Sequence, residues 1–142
     1  MDDQDRLRLL AFFEARLDEE ESVAKAATPG PWRHNPDKHW RKPGTAWFEE
    51  AVFAGPPGED ATCVAGTGET NDAQSMADAA FIARHHPTRA LVEIHVKRTL
   101  VKLYHLSVQH QQGGVAGAYL DAIKLHTTAH ADHPDFDLRW GQ

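Results

Sequence analysis

The sequence predicts an α+β fold: an N-terminal helix, a small antiparallel sheet of two or three strands, and three helices packed on that sheet. Apolar residues recur at helical spacing at the start of the chain and again through its second half. Between these regions lies a stretch rich in Pro, Gly and aromatic residues, which interrupts helices and separates short strands. We interpret the whole chain, 1–142, as a single domain, because a chain of this length can bury a core of its own.

The first predicted helix covers residues 2–27. Asp2 or Asp3 can cap its start, and Pro29 ends it by keeping Thr28 out of helical geometry. We expect its acidic run, from Asp18 onward, to form a solvated outer face. The apolar positions form one stripe at helical spacing: Leu7, Leu10, Phe13, Leu17 and Ala24.

The Pro- and Gly-rich stretch predicts strands around residues 32–34, 46–54 and 61–65, with a turn at 56–60. Its aromatic side chains can cover one face of such a sheet, and we favour packing against helices over an exposed binding platform. The only cysteine, Cys63, lies in the last of these strands, where we expect a buried and inert thiol. The aromatic residues concerned are Trp32, Trp40, Trp47, Phe48 and Phe53.

Two of the three later helices flank the longest one. The first covers residues 70–87, with Thr70 or Asn71 as its cap and Pro87 as its stop. The last covers about residues 116–131, where apolar positions again recur at helical spacing.

The longest predicted helix begins at a Thr88 cap and ends at Gly113-Gly114. Its apolar residues form two stripes. The first stripe consists of Leu91, Ile94, Val101 and Val108, and the second of Val92, Val96, Leu103 and Leu106. A helix with so wide an apolar arc is expected to be central in a bundle or to form a dimer interface.

Composition and charge argue against several classes of function. The net charge of −6 argues against broad binding to nucleic acid or anionic lipid. No apolar stretch is long enough to span a bilayer, and the acidic N-terminus lacks a signal-peptide pattern. We therefore predict a cytoplasmic protein with no membrane partner. An acidic stretch without Lys or Arg, 44–80, lies between two basic blocks, and we expect these charges to complement each other within the fold or across an oligomer.

The segment HTTAHADHPDFD near the C-terminus raises the question of a metal site. On a continuous helix His126, His130 and His133 would share one face, as the ligands of one metal ion require. Pro134 removes His133 from that face, because the residue before a proline is biased to extended geometry. The remaining candidates, His126 and His130 with Asp132, are weak, and we favour neither a metal nor another cofactor.

No common catalytic motif is present, since the sequence lacks a G-x-S-x-G elbow, a Walker loop and an H-E-x-x-H helix. Glu49 and Glu50 are neighbours on a predicted strand and point to opposite faces, which does not suit acid–base partners. One set of residues offers an aromatic ring for stacking and cations for an anionic ligand: Trp32, Arg84, His85 and Arg89.

Three blocks carry a resemblance to a known family: ATPGPWR, FIARHHPTRALVEIHVKRTLV and ADHPDFDLRW. In this order they resemble an uncharacterised (domain-of-unknown-function) family of small actinobacterial and actinophage proteins. The resemblance implies a bacterial or phage cytosolic protein and no established activity. In the closing block we expect Asp132, His133 and Asp135 to fix a turn that seats Phe136 and Trp140.

These observations lead to three hypotheses for function. The favoured one is a non-enzymatic interaction protein, a phage or prophage accessory factor that modulates its host by binding a host protein, or that self-associates through the first and central helices. The alternative is a protein that binds or sequesters a small, nucleotide-like signal through the four residues named above. The third and least favoured is a metal-dependent hydrolase that uses the two histidines and the aspartate of the C-terminal segment.

Overall fold

The computed structural model of the chain describes residues 1–35, 49–56 and 61–142. Within this described part the fold is α+β, with an N-terminal helix, a three-stranded antiparallel sheet and three further helices, as the sequence predicts. The helices are α1 (Asp3–Ala26), α2 (Ala73–Arg84), α3 (Pro87–Gln109) and α4 (Gly113–Thr127). The strands are β1 (Trp32–His34), β2 (Glu49–Ala54) and β3 (Thr62–Glu69). Two 3-10 turns, Thr128–His130 and Leu138–Gly141, follow α4.

The internal contacts of the chain divide it into two compact units. The helical unit consists of Met1–Ser22 and Val92–Gln142, and the sheet unit consists of Val23–Leu91. The boundaries between the units fall within α1 and within α3. The interpretation of the chain as a single domain stays a prediction.

Helix α1 begins where the sequence predicts, because the Asp2 carboxylate caps it. The backbone N–H of Asp5 donates to Asp2 Oδ1 at 2.8 Å. Most of the predicted stripe is buried: Leu10, Phe13, Leu17 and Ala24. The prediction is wrong for Leu7, which is 65% exposed, whereas Leu9 is fully buried. The buried arc of α1 is therefore shifted and wider than the apolar spacing alone indicates.

Aromatic contacts between α1 and the C-terminal block close the helical unit. Trp140 is buried against Leu9 and Phe12, and Phe136 packs on the same cluster. The ring centroids of Phe12 and Trp140 are 5.1 Å apart, and those of Phe136 and Trp140 are 5.7 Å apart. The expectation that this block seats Phe136 and Trp140 is confirmed.

His133 holds the turn that seats these rings. Its Nδ1 accepts from the backbone N–H of Asp135 at 3.1 Å, and its Nε2 is bonded to Nη1 of Arg16. Arg16 is buried on α1, where its guanidinium carbon lies 5.0 Å from the centroid of the Phe12 ring. The turn is therefore anchored at long range by an arginine of α1, whereas Asp132 is exposed.

Ion pairs connect α1 with α3 inside the helical unit. Arg98 Nη2 lies 2.9 Å from Asp18 Oδ1 and 2.6 Å from Glu21 Oε2. Lys97 Nζ lies 3.6 Å from Glu20 Oε2. The acidic run of α1 is therefore not simply a solvated face, because part of it pairs with cations of α3.

Helix α3 begins at Pro87, one residue before the predicted Thr88 cap. The His86 imidazole caps it, since its Nδ1 accepts from the backbone N–H of Arg89 at 3.3 Å. Proline suits the first helical position, because its fixed φ is already helical and its missing N–H is not needed there. Pro87 thus starts α3 and does not merely stop the helix before it.

The two apolar stripes of α3 differ in exposure. Ile94 and Val101 of the first stripe are buried. Val108 belongs to the same predicted stripe but is 52% exposed. It lies close to the end of the helix at Gln109. The second stripe is largely exposed, with values of 59% for Val92, 54% for Val96 and 39% for Leu106. Helix α3 is therefore not buried on all sides.

Two further helix boundaries differ from the prediction. Asp72, and not Thr70 or Asn71, caps α2: its Oδ2 accepts from the Ser75 backbone N–H at 2.9 Å and from the Ser75 hydroxyl at 2.8 Å. Gly113, predicted to end α3, is the first residue of α4. The chain turns between α3 and α4 at Gln111, which has a positive φ of 58°.

The sheet has the order β1-β2-β3, and all pairings are antiparallel. Trp32 pairs with Ala54, and β2 has irregular register against β3 at two places. Helix α2 covers the sheet, with Val52 of β2 packed in one buried cluster with Ala79 and Ala83. Packing against a helix is thus the role of Trp32, which lies partly buried against this cluster.

Some predictions fall outside the described residues. They concern residues 46–48 of the second predicted strand, most of the turn at 56–60, and the side chains of Trp40, Trp47 and Phe48. Among the helices that the structure describes, none is both long and apolar enough to cross a membrane.

Candidate functional site

The sheet unit contains a pocket of about 480 Å³ with a cationic lining. The lining residues are Trp32, Arg33, His34, Ala80, Ala83, Arg84, His86 and Arg89. Three guanidinium groups and two imidazoles face this space, and the described lining includes no carboxylate. In a chain with a net charge of −6, such a concentration of positive charge requires an explanation.

The Trp32 indole forms the aromatic wall of the pocket. Its Nε1–H donates to the carbonyl oxygen of Thr28 at 2.8 Å, which fixes the orientation of the ring. One part of the ring packs on the buried cluster of β2 and α2, and the side chain stays half-buried. The indole is therefore held in place before any ligand arrives.

A close approach at Gly30 brings the segment before β1 to the start of α3. A Cβ atom at Gly30 would lie only 2.9 Å from His86 Nδ1 and 2.9 Å from Thr88 Oγ1. Because real Cβ atoms rarely come so close to other heavy atoms, glycine is the residue that fits. Two of the sequence blocks quoted above, ATPGPWR and FIARHHPTR, meet in this way and supply most of the pocket lining.

Arg84 and Arg89 stand at the junction of α2 and α3. Arg84 is the last residue of α2, and Nη1 of Arg89 donates to the Arg84 carbonyl oxygen at 3.4 Å. Arg33 lies on β1 and belongs to the same pocket lining. In the described part of the chain, neither Arg33 nor Arg84 forms an ion pair. Exposed arginines that pair with no described acid are suited to contact an anion.

A buried carboxylate holds His34, one of the two histidines of the pocket lining. Glu50 is fully buried on β2, and its Oε2 lies 2.9 Å from His34 Nε2. Its other oxygen, Oε1, accepts from the backbone N–H of Asn71 at 2.7 Å. The expectation that Glu49 and Glu50 face opposite ways is confirmed, since Glu49 is exposed. In the sequence, the pair of His34 and Glu50 is indicated only by an acidic residue within an apolar strand. That signal does not identify His34 as its partner.

The structure brings together three of the four residues proposed from sequence for a ligand. Trp32, Arg84 and Arg89 line the pocket. His85 is not among the lining residues, and its ring stacks instead on Phe81, with the centroids 4.3 Å apart. His86, the next residue, takes the place expected of His85. Binding of a ligand by this set stays a prediction.

The histidines of the C-terminal segment occupy different structural elements. His126 is exposed on α4, whereas His130 follows in a 3-10 turn with its Nε2 3.3 Å from Glu20 Oε1. Asp132 is exposed beyond that turn. Across residues 1–35, 49–56 and 61–142, no three His, Cys, Asp or Glu side chains are grouped so that they could hold a metal ion.

Cys63 is exposed on β3, so the expectation of a buried thiol is wrong. The irregular pairing of β2 with β3 begins beside it, where Phe53 pairs with Cys63 after a register shift. Partial desolvation raises the pKa of the thiol, and the charge of Glu49 raises it further. A raised pKa lowers the thiolate fraction, so this cysteine is not an activated nucleophile.

The fold and the site define an α+β protein with an exposed apolar helix face in one unit and a cationic pocket in the other. The chain belongs to a family of unknown function (DUF6221), whose model matches residues 7–142. The comparisons with curated proteins and with solved structures found no match.

Proposed function

We propose that the protein is a non-enzymatic interaction protein that self-associates through the exposed apolar stripe of α3. The observation that carries this proposal is the exposure of Val92, Val96 and Leu106, large apolar side chains on one face of a long helix. Contiguous apolar surface of this kind marks interaction sites, because leaving it in water is unfavourable. Ile94 and Val101 are buried on the opposite face of the helix, which is the face that packs inside the helical unit. The exposed stripe therefore stays accessible to a partner.

The spacing of the stripe favours a second copy of the same chain as the occupant. The positions alternate in steps of four and three: Val92, Val96, Thr99, Leu103 and Leu106. This is the heptad spacing with which helices pair side by side, and it continues for roughly 22 Å of helix at 1.5 Å per residue. No charged residue lies on the stripe itself, and the charged residues that flank it, Glu93 and Lys102, are exposed at its two edges. Two such stripes can therefore pack without burying an unpaired charge.

The test is the oligomeric state in solution, measured by light scattering and sedimentation over a range of protein concentrations. The wild-type chain is expected to form a dimer, and Val96→Glu is expected to make it monomeric by placing a charge in the stripe. Leu125→Glu is the matched control, since Leu125 is 72% exposed on α4 and lies off the stripe. Circular dichroism establishes that both variants fold. A wild-type chain that stays monomeric at high concentration contradicts self-association.

The resemblance of the three sequence blocks supports a finer proposal. The protein is then an actinobacterial or phage accessory factor that acts in the cytoplasm and modulates the host. If the wild-type chain is monomeric but captures one host protein, and Val96→Glu abolishes the capture while Leu125→Glu does not, the stripe binds a host partner instead of a second copy. A monomer without such a partner counts against the interaction function as a whole.

A second candidate function, binding of a small anionic ligand, is favoured by the convergence of Trp32, Arg84 and Arg89 on one pocket. A ligand that binds only the native state raises the melting temperature in proportion to its saturation. A thermal-shift panel of nucleotides and pyrophosphate therefore tests this function. No comparable observation favours a metal-dependent hydrolase at His126 and His130.

A further inference from the structure

We propose that the cationic pocket binds a phosphate monoester attached to a planar ring, with a nucleoside monophosphate as the representative ligand. The arginines hold the phosphate, and Trp32 covers the ring. This inference rests on ligand binding by the pocket and specifies the class of ligand.

The charge of the pocket matches a dianion. Arg33, Arg84 and Arg89 line one space of about 480 Å³. Guanidinium groups suit phosphate because they offer paired N–H donors in a planar fork and stay charged at every accessible pH. Since Arg33 and Arg84 form no ion pair within the described chain, binding a phosphate does not require breaking an internal one. A monoanion would leave more of this positive charge uncompensated.

The His34–Glu50 pair adds a fixed polar group to the pocket lining. Glu50 Oε2 occupies the Nε2 side of the imidazole at 2.9 Å, and Asn71 N–H holds the carboxylate from its other oxygen. No described residue bonds to Nδ1 of His34, which belongs to the pocket lining. The buried carboxylate therefore fixes the orientation of the imidazole at the edge of the pocket.

The aromatic wall indicates that the ligand is larger than phosphate. The pocket falls within the range of roughly 300–1,000 Å³ that small-molecule sites occupy, and a free phosphate would leave most of it to water. The half-buried Trp32 ring, fixed by its bond to Thr28, offers a flat apolar surface beside the cations. A planar ring joined to the phosphate covers this surface while the charge is neutralised.

Calorimetric titration with four probes tests the inference: adenosine monophosphate, adenosine, ribose 5-phosphate and inorganic phosphate. Adenosine monophosphate is expected to bind more tightly than adenosine and than ribose 5-phosphate by about tenfold or more in each case, through charge-assisted hydrogen bonds and stacking respectively. Arg84→Gln is expected to lower the affinity for adenosine monophosphate by about tenfold while leaving adenosine binding little changed. Lys102→Gln is the matched control, because it removes one exposed positive charge from α3 outside the pocket.

The outcomes separate the inference from the function on which it rests. If none of the probes binds and pyrophosphate does not bind either, ligand binding by the pocket is wrong together with the inference. Equal affinities for ribose 5-phosphate and adenosine monophosphate overturn the planar ring alone. If Arg84→Gln leaves the affinity for adenosine monophosphate unchanged, the ligand binds elsewhere, and its assignment to this pocket is wrong. Pyrophosphate binding far more tightly than adenosine monophosphate identifies a general polyanion site and also overturns the inference.

Discussion

The arginines of the two units differ in their partners. In the helical unit, Arg98 pairs with two acids of α1, and Arg139 forms bonds to Asp137 and Asp5. In the sheet unit, Arg33 and Arg84 form no ion pair within the described residues, although an acid of the same unit, Glu50, is fully buried. Charges paired within the fold serve stability, whereas cations that line a pocket and pair with no described acid suit an anionic ligand. This difference is why we propose ligand binding for the sheet unit.

The units also differ in what holds them together. The helical unit has a cluster of large side chains, with Phe12 in contact with Leu9 and Trp140. In the described part of the sheet unit, one buried cluster consists of smaller residues, Val52, Ala79 and Ala83, with Trp32 partly buried against it. The same unit also holds the fully buried Glu50 with its hydrogen bonds to His34 and Asn71. Substitutions in each unit can test this contrast.

The largest effect is expected from Phe12→Ala in the helical unit. The variant removes a ring that touches Trp140 and Phe136, and it leaves a cavity between α1 and the C-terminal block. The free energy of unfolding should fall by about 3–5 kcal/mol, as measured by urea unfolding followed by tryptophan fluorescence. Leu7→Ala is the control on the same helix, because Leu7 is 65% exposed and its truncation should change little. A loss no larger than that of the control would show that aromatic packing does not hold the unit closed.

A smaller but still clear effect is expected from Glu50→Ala in the sheet unit. The variant leaves His34 Nε2 and the Asn71 N–H without the acceptor that each now has. An unsatisfied buried polar group costs about 1–3 kcal/mol, and we expect a loss of this size in the free energy of unfolding. Glu49→Ala, at the exposed neighbour on β2, is the matched control and should be close to neutral. Equal effects of the two variants would contradict the structural importance of the buried pair.

The fold was predictable from the sequence to the extent that local pattern determines it. Helical spacing and proline positions identify the helices, and Gly, Pro and aromatic residues identify the strand region. Local pattern does not decide which part of an apolar arc is buried. It therefore places Leu7 in the buried stripe of α1, whereas the structure buries Leu9 and exposes Leu7. Local pattern also predicts Thr88 as the cap of α3, whereas the side chain of His86 caps this helix.

The candidate site shows the same limit. Trp32, Arg84 and Arg89 could be selected by residue type, because aromatic rings and guanidinium groups are what an anionic ligand needs. The pair of His34 and Glu50 could not, since strand pairing joins these positions only after register is set. Spacing along the chain carries no information about such a contact. Long-range polar contacts therefore require the structure.

A modest effect is expected when the charge pairing of the helical unit is broken. Arg98→Gln removes ion pairs to Asp18 and Glu21, but Arg98 is 40% exposed, so solvent screens them. The loss in the free energy of unfolding should stay below about 1 kcal/mol at low salt and should vanish in roughly 1 M salt. Lys102→Gln, on the exposed part of the same helix, is the control. A loss that persists in high salt would mean that packing of the Arg98 stem matters more than its charge.

The smallest effect is expected at the C-terminus of the helical unit, and it depends on pH. Hydrogen bonds from the Arg139 side chain and backbone N–H lower the pKa of Asp137 to about 2. Because this value lies below the pKa of about 4 for an unfolded aspartate, ionised Asp137 stabilises the fold. The contribution is complete above pH 4 or so and is lost as the pH falls toward the folded-state pKa of about 2.

Asp137→Asn keeps an oxygen for the backbone N–H of Arg139 but removes the charge. Its melting temperature should lie about 1 °C below that of the wild-type chain at pH 6, because solvent screens this exposed pair, and the two values should converge as the pH falls from 4 to 2. Asp132→Asn removes an exposed carboxylate to which no described residue donates a hydrogen bond, and it should match the wild-type chain throughout. A difference that stays constant with pH would mean that the capping geometry, and not the charge pairing that distinguishes the helical unit, accounts for the role of Asp137.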